Sequence, residues 1–307
     1  MKNLLLTASR NLTVRDVATR LPLIRRTVDR FVPGERIDDA IGAVRELKAS
    51  GRLATIDTLG EDTTTRTAAM EATAANIRLV RRLADAGLTD VAEVSLKASA
   101  LGQALPDGQG LALENAQRIA AAASEAGITI TLDAEDHTAT DATHALVDAL
   151  RSEFPGTGVV LQSMLFRTEE DCAHFSGEGS RVRLCKGAYA EPAAMAHQRM
   201  PEIRESYTRC LAVLIAGGAY PMIATHDPAM ITAALGQLLV AGRSVDSYEI
   251  QMLYGVRPDE QLRLAREGHR VRVYVPYGAD WYGYYMRRLA EKPANLALLG
   301  KALLSRS

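Results

Sequence analysis

One unit recurs eight times along the chain from Gly51 onwards, and this recurrence constrains the fold more than any other feature. Each unit opens with a short run rich in β-branched residues and continues into a longer alanine-rich stretch with apolar residues at helical spacing. Such alternation predicts parallel strands joined by right-handed crossovers, in a closed barrel or an open doubly wound sheet. Eight units favour the (βα)8 barrel of the α/β class, and a chain of 307 residues is long enough for one.

The eight units give explicit bounds for the expected elements. The predicted strands are Leu53–Asp57, Val91–Leu96, Thr129–Asp133, Val159–Gln162, Val182–Leu184, Met222–Thr225, Tyr248–Gln251 and Val271–Val275. The predicted helices are Thr65–Ala86, Leu111–Ala126, Asp141–Ser152, Glu169–Phe175, Pro192–Ala216, Ala229–Ala241, Asp259–Glu267 and Trp281–Glu291. Because no G-x-G-x-x-G opens the first helix, a Rossmann-type cofactor site is not predicted.

The first 50 residues lack the strand and helix rhythm. Their apolar residues recur near helical spacing from Leu12 to Val28 and again from Ile37 to Leu47, on either side of Pro33 and Gly34. We therefore predict two parts, an N-terminal helical arm over residues 1–50 and a barrel domain over residues 51–307 that carries the functional site.

Composition excludes several classes of protein. The 36 Lys+Arg and 37 Asp+Glu leave no net field for a polyanion, so nucleic-acid binding is not expected. Cys172, Cys185 and Cys210 form no C-x-x-C spacing and are odd in number, which is typical of a reducing compartment and predicts a cytoplasmic protein. The apolar start is too short for a signal peptide, and no stretch approaches the length of a membrane span.

Polar residues gather where the predicted strands end, and in a (βα)8 barrel the active site is built at the carboxyl ends of the strands. In chain order they are Asp57, Glu61, Lys97, Asp133, Glu135, His137, Gln162, Arg183, Lys186, Thr225, His226, Asp227, Gln251 and Tyr274. Their occurrence after every strand predicts one shared ligand-binding site.

The last predicted helix adds two arginines to this end of the barrel. In a helix that begins after Asp280, Tyr284, Arg287, Arg288 and Glu291 share one face. Two guanidiniums beside a phenol are suited to holding a small carboxylate, because each presents a planar fork of donors.

The residue types leave alternative chemistries open. A metal could use Asp133, Glu135, Asp136, His137 and His226, but no H-x-H or HExxH pair supports it and we predict no metal site. Lys97 or Lys186 could serve a Schiff-base lyase. A barrel without activity, acting as a membrane-bound partner protein, is the alternative that is not an enzyme.

Several stretches resemble the proline dehydrogenase family, in order, over roughly residues 59–295. They are Ser95-Leu-Lys97-Ala-Ser-Ala-Leu101, Asp133-Ala-Glu-Asp-His137, Val159-Val-Leu-Gln162, Arg183-Leu-Cys-Lys-Gly-Ala-Tyr189, Thr225-His226, Tyr248-Glu-Ile-Gln-Met-Leu-Tyr-Gly255 and Tyr284-Tyr-Met-Arg-Arg-Leu-Ala-Glu291. The resemblance covers the monofunctional enzymes and the matching half of bifunctional proline utilisation A. The chain resembles the monofunctional form.

The resemblance implies a distorted barrel, with its last helix over the carboxyl-end face, that binds FAD without a Rossmann motif. It implies oxidation of L-proline to Δ1-pyrroline-5-carboxylate, by hydride transfer from proline C5 to flavin N5, as the first step of proline catabolism to glutamate. The electrons would pass to a membrane quinone, and a separate pyrroline-5-carboxylate dehydrogenase would act next. Peripheral contact with the inner face of the cell membrane follows, and the two ends of the chain are the candidates for it. For residues 296–307 a helix docked on the barrel is the favoured interpretation.

The resemblance also assigns roles to individual residues. Arg287 and Arg288 match the pair that clamps the proline carboxylate, assisted by Lys97, and Glu61 matches a glutamate that gates the site by pairing with an arginine. Asp133 matches an acid that holds Lys97 and the flavin edge, and Arg183 a catalytic cation near flavin N5. The substrate walls match Tyr274, Tyr284 and Leu253. Flavin contacts match Ala134, Gln162, Lys186, Gly187, Ala188, Thr225, His226 and Gln251, and Glu291 matches a residue there that fixes the arginines.

Overall fold

A computed structural model describes residues 27–291, with side chains through Arg288. Eight parallel strands form a closed barrel in sequence order, which confirms the predicted fold. The strands are β1 Leu53–Thr58, β2 Ala92–Leu96, β3 Thr129–Leu132, β4 Gly158–Gln162, β5 Arg181–Cys185, β6 Tyr220–Ala224, β7 Glu249–Leu253 and β8 Val271–Tyr277. Strand β8 closes the barrel on β1, in a register that runs from Leu53 opposite Arg272 to Thr58 opposite Tyr277.

The first helix precedes β1, and each later helix follows a strand. The helices are α1 Ile37–Ala49, α2 Arg66–Asp85, α3 Gly108–Glu125, α4 Thr140–Arg151, α5 Thr168–Phe175, α6 Met200–Ala216, α7 Pro228–Val240, α8 Pro258–Arg266 and α9 Trp281–Glu291. The outward faces of the strands meet the inward faces of these helices in one apolar core, to which Ile56, Val94, Leu161, Leu184 and Val275 belong. Since side chains alternate along a strand, the other half of each strand points into the barrel.

One predicted helix was wrong at its start. The prediction begins at Pro192, whereas α6 begins at Met200. Residues 192–199 instead lie against the loop after β4, through an antiparallel bridge between Leu165 and Ala196 and a hydrogen bond from the His197 amide to the Met164 carbonyl. These backbone groups are satisfied by the neighbouring loop, so the segment has no need of helical hydrogen bonds.

Helix α1 packs against β1 and β8, and its Ile41, Val44 and Leu47 are part of the main core. The division of the chain at residue 50 stays a prediction. The predicted helices between Leu12 and Ile24, and the tail at residues 296–307, lie outside the described residues.

The segment just before α1 holds α9 in place. Val28, Phe31 and Val32 form a separate apolar cluster with aromatic residues of α9, including Trp281 and Tyr285. The Tyr285 hydroxyl lies 2.6 Å from the hydroxyl of Thr27. Because α9 carries the two arginines, these contacts fix where the arginines lie over the barrel. No helix among residues 27–291 is both long and apolar enough to cross a membrane.

Candidate active site

The floor of the barrel is charged, although (βα)8 barrels are usually filled by branched apolar side chains. Glu93 contacts Arg181, and Glu249 accepts a 2.8 Å hydrogen bond from Arg272. Both carboxylates have no exposed surface. Burial alone would raise the pKa of Glu93, but Arg181, Arg272 and Arg183 together lower it to about 2, so Glu93 is ionised.

The sequence predictions did not include these floor residues, yet the sequence contained a signal for them. Charged or polar residues occupy alternate positions in four strands, at 93 and 95 (continued by 97 just after the strand), at 181 and 183, at 249 and 251, and at 272 and 274. A period of two along a strand that is buried on both faces indicates a polar barrel interior.

Arg183 connects this floor to the carboxyl end of the barrel. Its guanidinium donates to Glu93 at 2.8 Å, to Gln251 at 2.6 Å and to Asp133 at 2.7 Å, and it donates a longer bond to Ser95. Its side chain is almost completely buried. Burial lowers the pKa of Arg183, but the nearby carboxylates outweigh burial and raise it, so the side chain is a fixed cation.

Asp133 lies at the centre of the site. One carboxylate oxygen accepts from Ser95 and Arg183, and the other accepts a 2.6 Å hydrogen bond from the Tyr274 hydroxyl. The Arg183 guanidinium also lies 5.4 Å from the centroid of the Tyr274 ring. The structure therefore brings together three residues that the sequence placed on β3, β5 and β8.

Lys97 pairs with a different acid from the one expected. Its ammonium donates to Asp57 at 2.6 Å, whereas the resemblance implied Asp133 as the acid that holds it. The reason is the register of the barrel: β1 and β2 are neighbours, with Asp57 opposite Ser95, so the side chain two residues further along β2 reaches Asp57. Burial opposes the charge on Lys97, but Asp57 and other nearby carboxylates raise its pKa, whereas burial raises the pKa of Asp57 despite the neighbouring ammonium.

Helix α9 reaches the loop after β1 through a charged pair. Arg287 donates two hydrogen bonds to Glu61, of 2.5 and 3.1 Å, so the predicted proximity of these residues is confirmed. Burial lowers the pKa of Arg287, but Glu61, with smaller contributions from Tyr189 and Asp57, outweighs burial and raises it. The charges of Glu61 and Arg287 also act on Tyr189, whose pKa is raised by burial and by the charge of Glu61. Tyr189 belongs to a stretch that resembles the family, but the resemblance implies no role for it.

Arg288 lies beside Tyr284 on α9. It is largely buried, and its guanidinium lies 5.1 Å from the centroid of the Tyr284 ring. Leu253 is partly buried at the end of β7. The Glu291 side chain lies outside the described side chains, so its predicted role stays a prediction.

The loop after β5 makes an unusually close backbone approach at Gly187. This residue has a φ of +110°, and an added Cβ would lie 2.1 Å from the Met164 sulfur and 3.2 Å from the Gln162 side-chain oxygen. Its neighbours Lys186 and Ala188 are half-buried in the same loop. Only glycine fits both the backbone angle and the space.

Two further hydrogen bonds hold side chains at the carboxyl ends of β4 and β6. Gln162 donates a 2.8 Å hydrogen bond to the Glu135 carbonyl, next to Ala134. The Leu253 amide donates to His226 Nε2 at 2.8 Å. Because a backbone N–H only donates, Nε2 of His226 carries no proton, and the neutral ring is protonated on Nδ1. Thr225 is buried beside His226 and accepts from the Asp227 amide.

The remaining candidate ligands do not converge as a metal site. His137 lies 2.5 Å from Glu191, in the loop after β5, and its backbone amide donates to the same carboxylate. Glu135 accepts from the Ser99 amide at 2.9 Å. Across the part of the chain with described geometry, no three His, Cys, Asp or Glu residues form a group that could hold a metal ion.

Taken together, the site offers a guanidinium pair, a fixed Arg183, a lysine, and amide and hydroxyl donors. Cationic and neutral donors in one site fit an anionic nucleotide cofactor. The part of the site that carries Arg287 and Arg288 is then left to bind a small carboxylate.

Comparisons with known proteins agree with this interpretation of the site. The family model described as proline dehydrogenase matches residues 40–300. Proline dehydrogenase of Deinococcus radiodurans is 40% identical over 279 residues, which cover 90% of this chain and 89% of the relative. Proline dehydrogenase 1 of Bacillus subtilis is 36% identical, with 90% of each chain covered. The crystal structure of proline utilization A from Bdellovibrio bacteriovorus, inactivated by N-propargylglycine, has a similar fold, with a TM-score of 0.81 at 23% identity over 92% of this chain and 34% of that one.

Proposed function

This chain belongs to the proline dehydrogenase family, and from that premise we propose that it oxidises L-proline to Δ1-pyrroline-5-carboxylate with a bound FAD. The activity is that of an oxidoreductase and the first step of proline catabolism. The observation that carries the proposal is the set formed by Arg183, Asp133 and Tyr274 beneath the helix that bears Arg287 and Arg288.

The donor set supports FAD as the cofactor. Gly187 lets the loop after β5 pack directly on Met164, which places Lys186 and Ala188 beside the strand ends that carry the other donors. The residues that would hold the cofactor are Ala134, Gln162, Arg183, Lys186, Gly187, Ala188, Thr225, His226 and Gln251. When bound, a flavin supplies the acceptor for the hydride that leaves proline C5.

The protein residues have distinct tasks in this proposal. Arg288 and Arg287 bind and orient the carboxylate of proline, because paired guanidiniums hold it from two sides. Tyr274, Leu253 and Tyr284 form the walls around the ring. Arg183 is preorganised as a cation and stabilises negative charge that develops nearby, without having to reorganise.

Lys97 and Glu61 complete the site. Lys97 adds a buried positive charge that its partner Asp57 balances, so it contributes a donor to the substrate carboxylate without leaving an uncompensated ion. The contact of Glu61 with Arg287 closes the space between the loop after β1 and α9, which excludes water from the reacting atoms.

We further propose that the electrons pass to a membrane quinone, through peripheral contact of a cytoplasmic protein with the membrane. A separate pyrroline-5-carboxylate dehydrogenase then consumes the product. Flotation with liposomes tests the contact: the full chain should float with vesicles, and recovery in the dense fraction at every lipid concentration would exclude it. A variant lacking residues 296–307 decides whether the tail is responsible.

An absorbance spectrum tests the central proposal. The purified protein should be yellow, and anaerobic proline should bleach its absorbance in the blue. A colourless protein that borohydride traps covalently with a substrate would instead indicate a Schiff-base lyase using Lys97 or Lys186. A colourless protein with neither property would indicate a barrel without activity.

A further inference from the structure

We propose that Glu93, on the floor of the barrel, is a positioning residue that fixes Arg183 and sets the charge next to the reacting ligand. The inference rests on the proposed function and assigns a role to a residue well below the expected substrate. The role is indirect, because Glu93 acts through Arg183.

Three contacts define the position of Glu93. One of its oxygens accepts from Arg183 at 2.8 Å and from the Thr55 hydroxyl at 3.0 Å, and the other contacts Arg181. Glu93 has no exposed surface, so water cannot replace any of these partners. Its carboxylate is therefore held as tightly as the strands around it.

The consequence for Arg183 is a guanidinium fixed from two directions. Glu93 holds one terminal nitrogen from below, and Asp133 holds the other from the carboxyl end of the barrel. Gln251 fixes the Nε edge and is itself held by Glu249 at 2.5 Å. Asp133 also binds Tyr274, so displacement of Arg183 would move both residues that face the ligand.

The charge of Glu93 affects the site in addition to the position that Glu93 gives Arg183. Arg183 has two carboxylate partners, Glu93 and Asp133, and only Asp133 lies at the carboxyl end of the barrel. Removal of the Glu93 charge leaves Arg183 less neutralised in a buried site, where an uncompensated charge acts strongly. A more positive site favours the reduced form of a bound flavin, which carries more negative charge.

The test is the Glu93→Gln holoenzyme, titrated for its flavin reduction potential. We expect the ratio of reduced to oxidised flavin at a fixed potential to rise about tenfold, which corresponds to about 30 mV for a two-electron couple. Affinity for an unreactive proline analogue should change by less than about twofold, because Arg287 and Arg288 are untouched. A loosened site without a charge role would lose flavin or analogue affinity and leave the potential unchanged.

Glu249→Gln is the matched control. It removes the same charge from the same layer, but its arginine partners at hydrogen-bond or ion-pair distance are Arg272 and Arg181. The proposal expects a rise of less than about threefold in that variant, since Glu249 does not pair with Arg183 directly and reaches it only through Gln251. Equal shifts in both variants would show that the net charge of the floor matters and the contact with Arg183 does not, which overturns the proposal.

Glu93→Asp is the second test variant, for use if Glu93→Gln does not fold with bound flavin. It keeps the charge but withdraws it from Arg183, so the potential should stay near that of the wild type while flavin reduction by proline slows about tenfold. Unchanged reduction kinetics would overturn the proposal. A wild-type protein without flavin, or one that proline does not reduce, would refute the proposed function itself, whereas a normal wild type with a Glu93→Gln potential equal to it refutes this inference alone.

Discussion

Lys97 and Asp57 form an ion pair of 2.6 Å inside the barrel, where their side chains are only 8% and 3% exposed. The pair joins β1 to the residue directly after β2 at the carboxyl end of the barrel. A buried ion pair contributes little more to the stability of the fold than an apolar pair of the same shape. Loss of one partner, however, leaves a buried charge without compensation.

Asp57→Asn should therefore lower the free energy of unfolding by about 3–5 kcal/mol. The double variant Asp57→Asn with Lys97→Met should recover more than half of that loss, because it removes both charges. Urea unfolding followed by circular dichroism measures both values. Losses that simply add in the double variant would show that the two side chains are not coupled.

Arg288→Met should damage proline oxidation while flavin stays bound. The lost interaction is with the substrate carboxylate, and removal of one partner from a buried charged pair costs about 2–5 kcal/mol, or about 30- to several-thousand-fold in kcat/KM. Stopped-flow reduction and flavin content measure the two effects, with the exposed Arg266→Met on α8 as the control. Flavin loss with normal kinetics in the remaining holoenzyme would place Arg288 at the cofactor instead.

Gly187→Ala should destabilise the protein by about 1–3 kcal/mol and lower its flavin content, because the φ of +110° disfavours a side chain and the new Cβ would meet Met164. Gly236→Ala is the control. It lies in α7 with nothing within 4 Å of the added Cβ, so it should be neutral or stabilise the protein by up to about 1 kcal/mol. Thermal unfolding and flavin absorbance of both variants provide the comparison. Equal stability in the two variants would contradict the tight fit at Gly187.

The barrel itself was predictable from the sequence, because the order of strands and helices leaves few topologies and eight units select closure. Helix α9 begins at the predicted residue, Trp281. The loop over residues 192–199 was not predictable, since its apolar residues satisfy a helical pattern locally. Their backbone is engaged by a neighbouring loop that the local pattern does not reveal.

The site was predictable as a set of residues but not as a set of pairs. Lys97, Asp133, Arg183 and Tyr274 could be predicted as members of the site from their positions at strand ends, because the topology brings all strand ends together. Which acid meets which base depends on register, which side-chain patterns at the ends of separate strands do not specify. Asp57 was therefore noted at its strand end and missed as the partner of Lys97.

Glu93 should make stability depend on pH in a defined acidic window. Its folded pKa is about 2, below its ordinary value of 4.5, because three arginines outweigh the cost of burial. A depressed folded pKa gives stability that is complete above about 4.5 and lost as the pH falls towards 2. Urea unfolding from pH 7 to pH 3 should show the stability difference between wild type and Glu93→Gln constant at neutral pH and shrinking below about 4.5. A difference that grows in acid would contradict the ionised state.

The contact between Glu61 and Arg287 joins the loop after β1 to α9, and it is separate from the cap of the next helix. Thr65 caps α2, by accepting a 3.1 Å hydrogen bond from the Ala68 amide. Glu61 thus has no capping duty there, and Thr65→Ala becomes a control for helix capping in the same loop. Loss of such a cap typically costs about 1 kcal/mol.

We expect Glu61→Ala to slow flavin reduction by proline more than it weakens equilibrium binding of an unreactive proline analogue. The reason is that Glu61 fixes Arg287 over the site and closes it to water, which matters most when hydride transfer occurs. Its stability should stay within about 1 kcal/mol of wild type, since the pair is partly exposed. Thr65→Ala should lose stability without slowing reduction. Stopped-flow reduction, analogue titration and thermal unfolding separate the two cases, and a Glu61→Ala variant that behaves like Thr65→Ala would leave Glu61 as part of the loop architecture and not a gate.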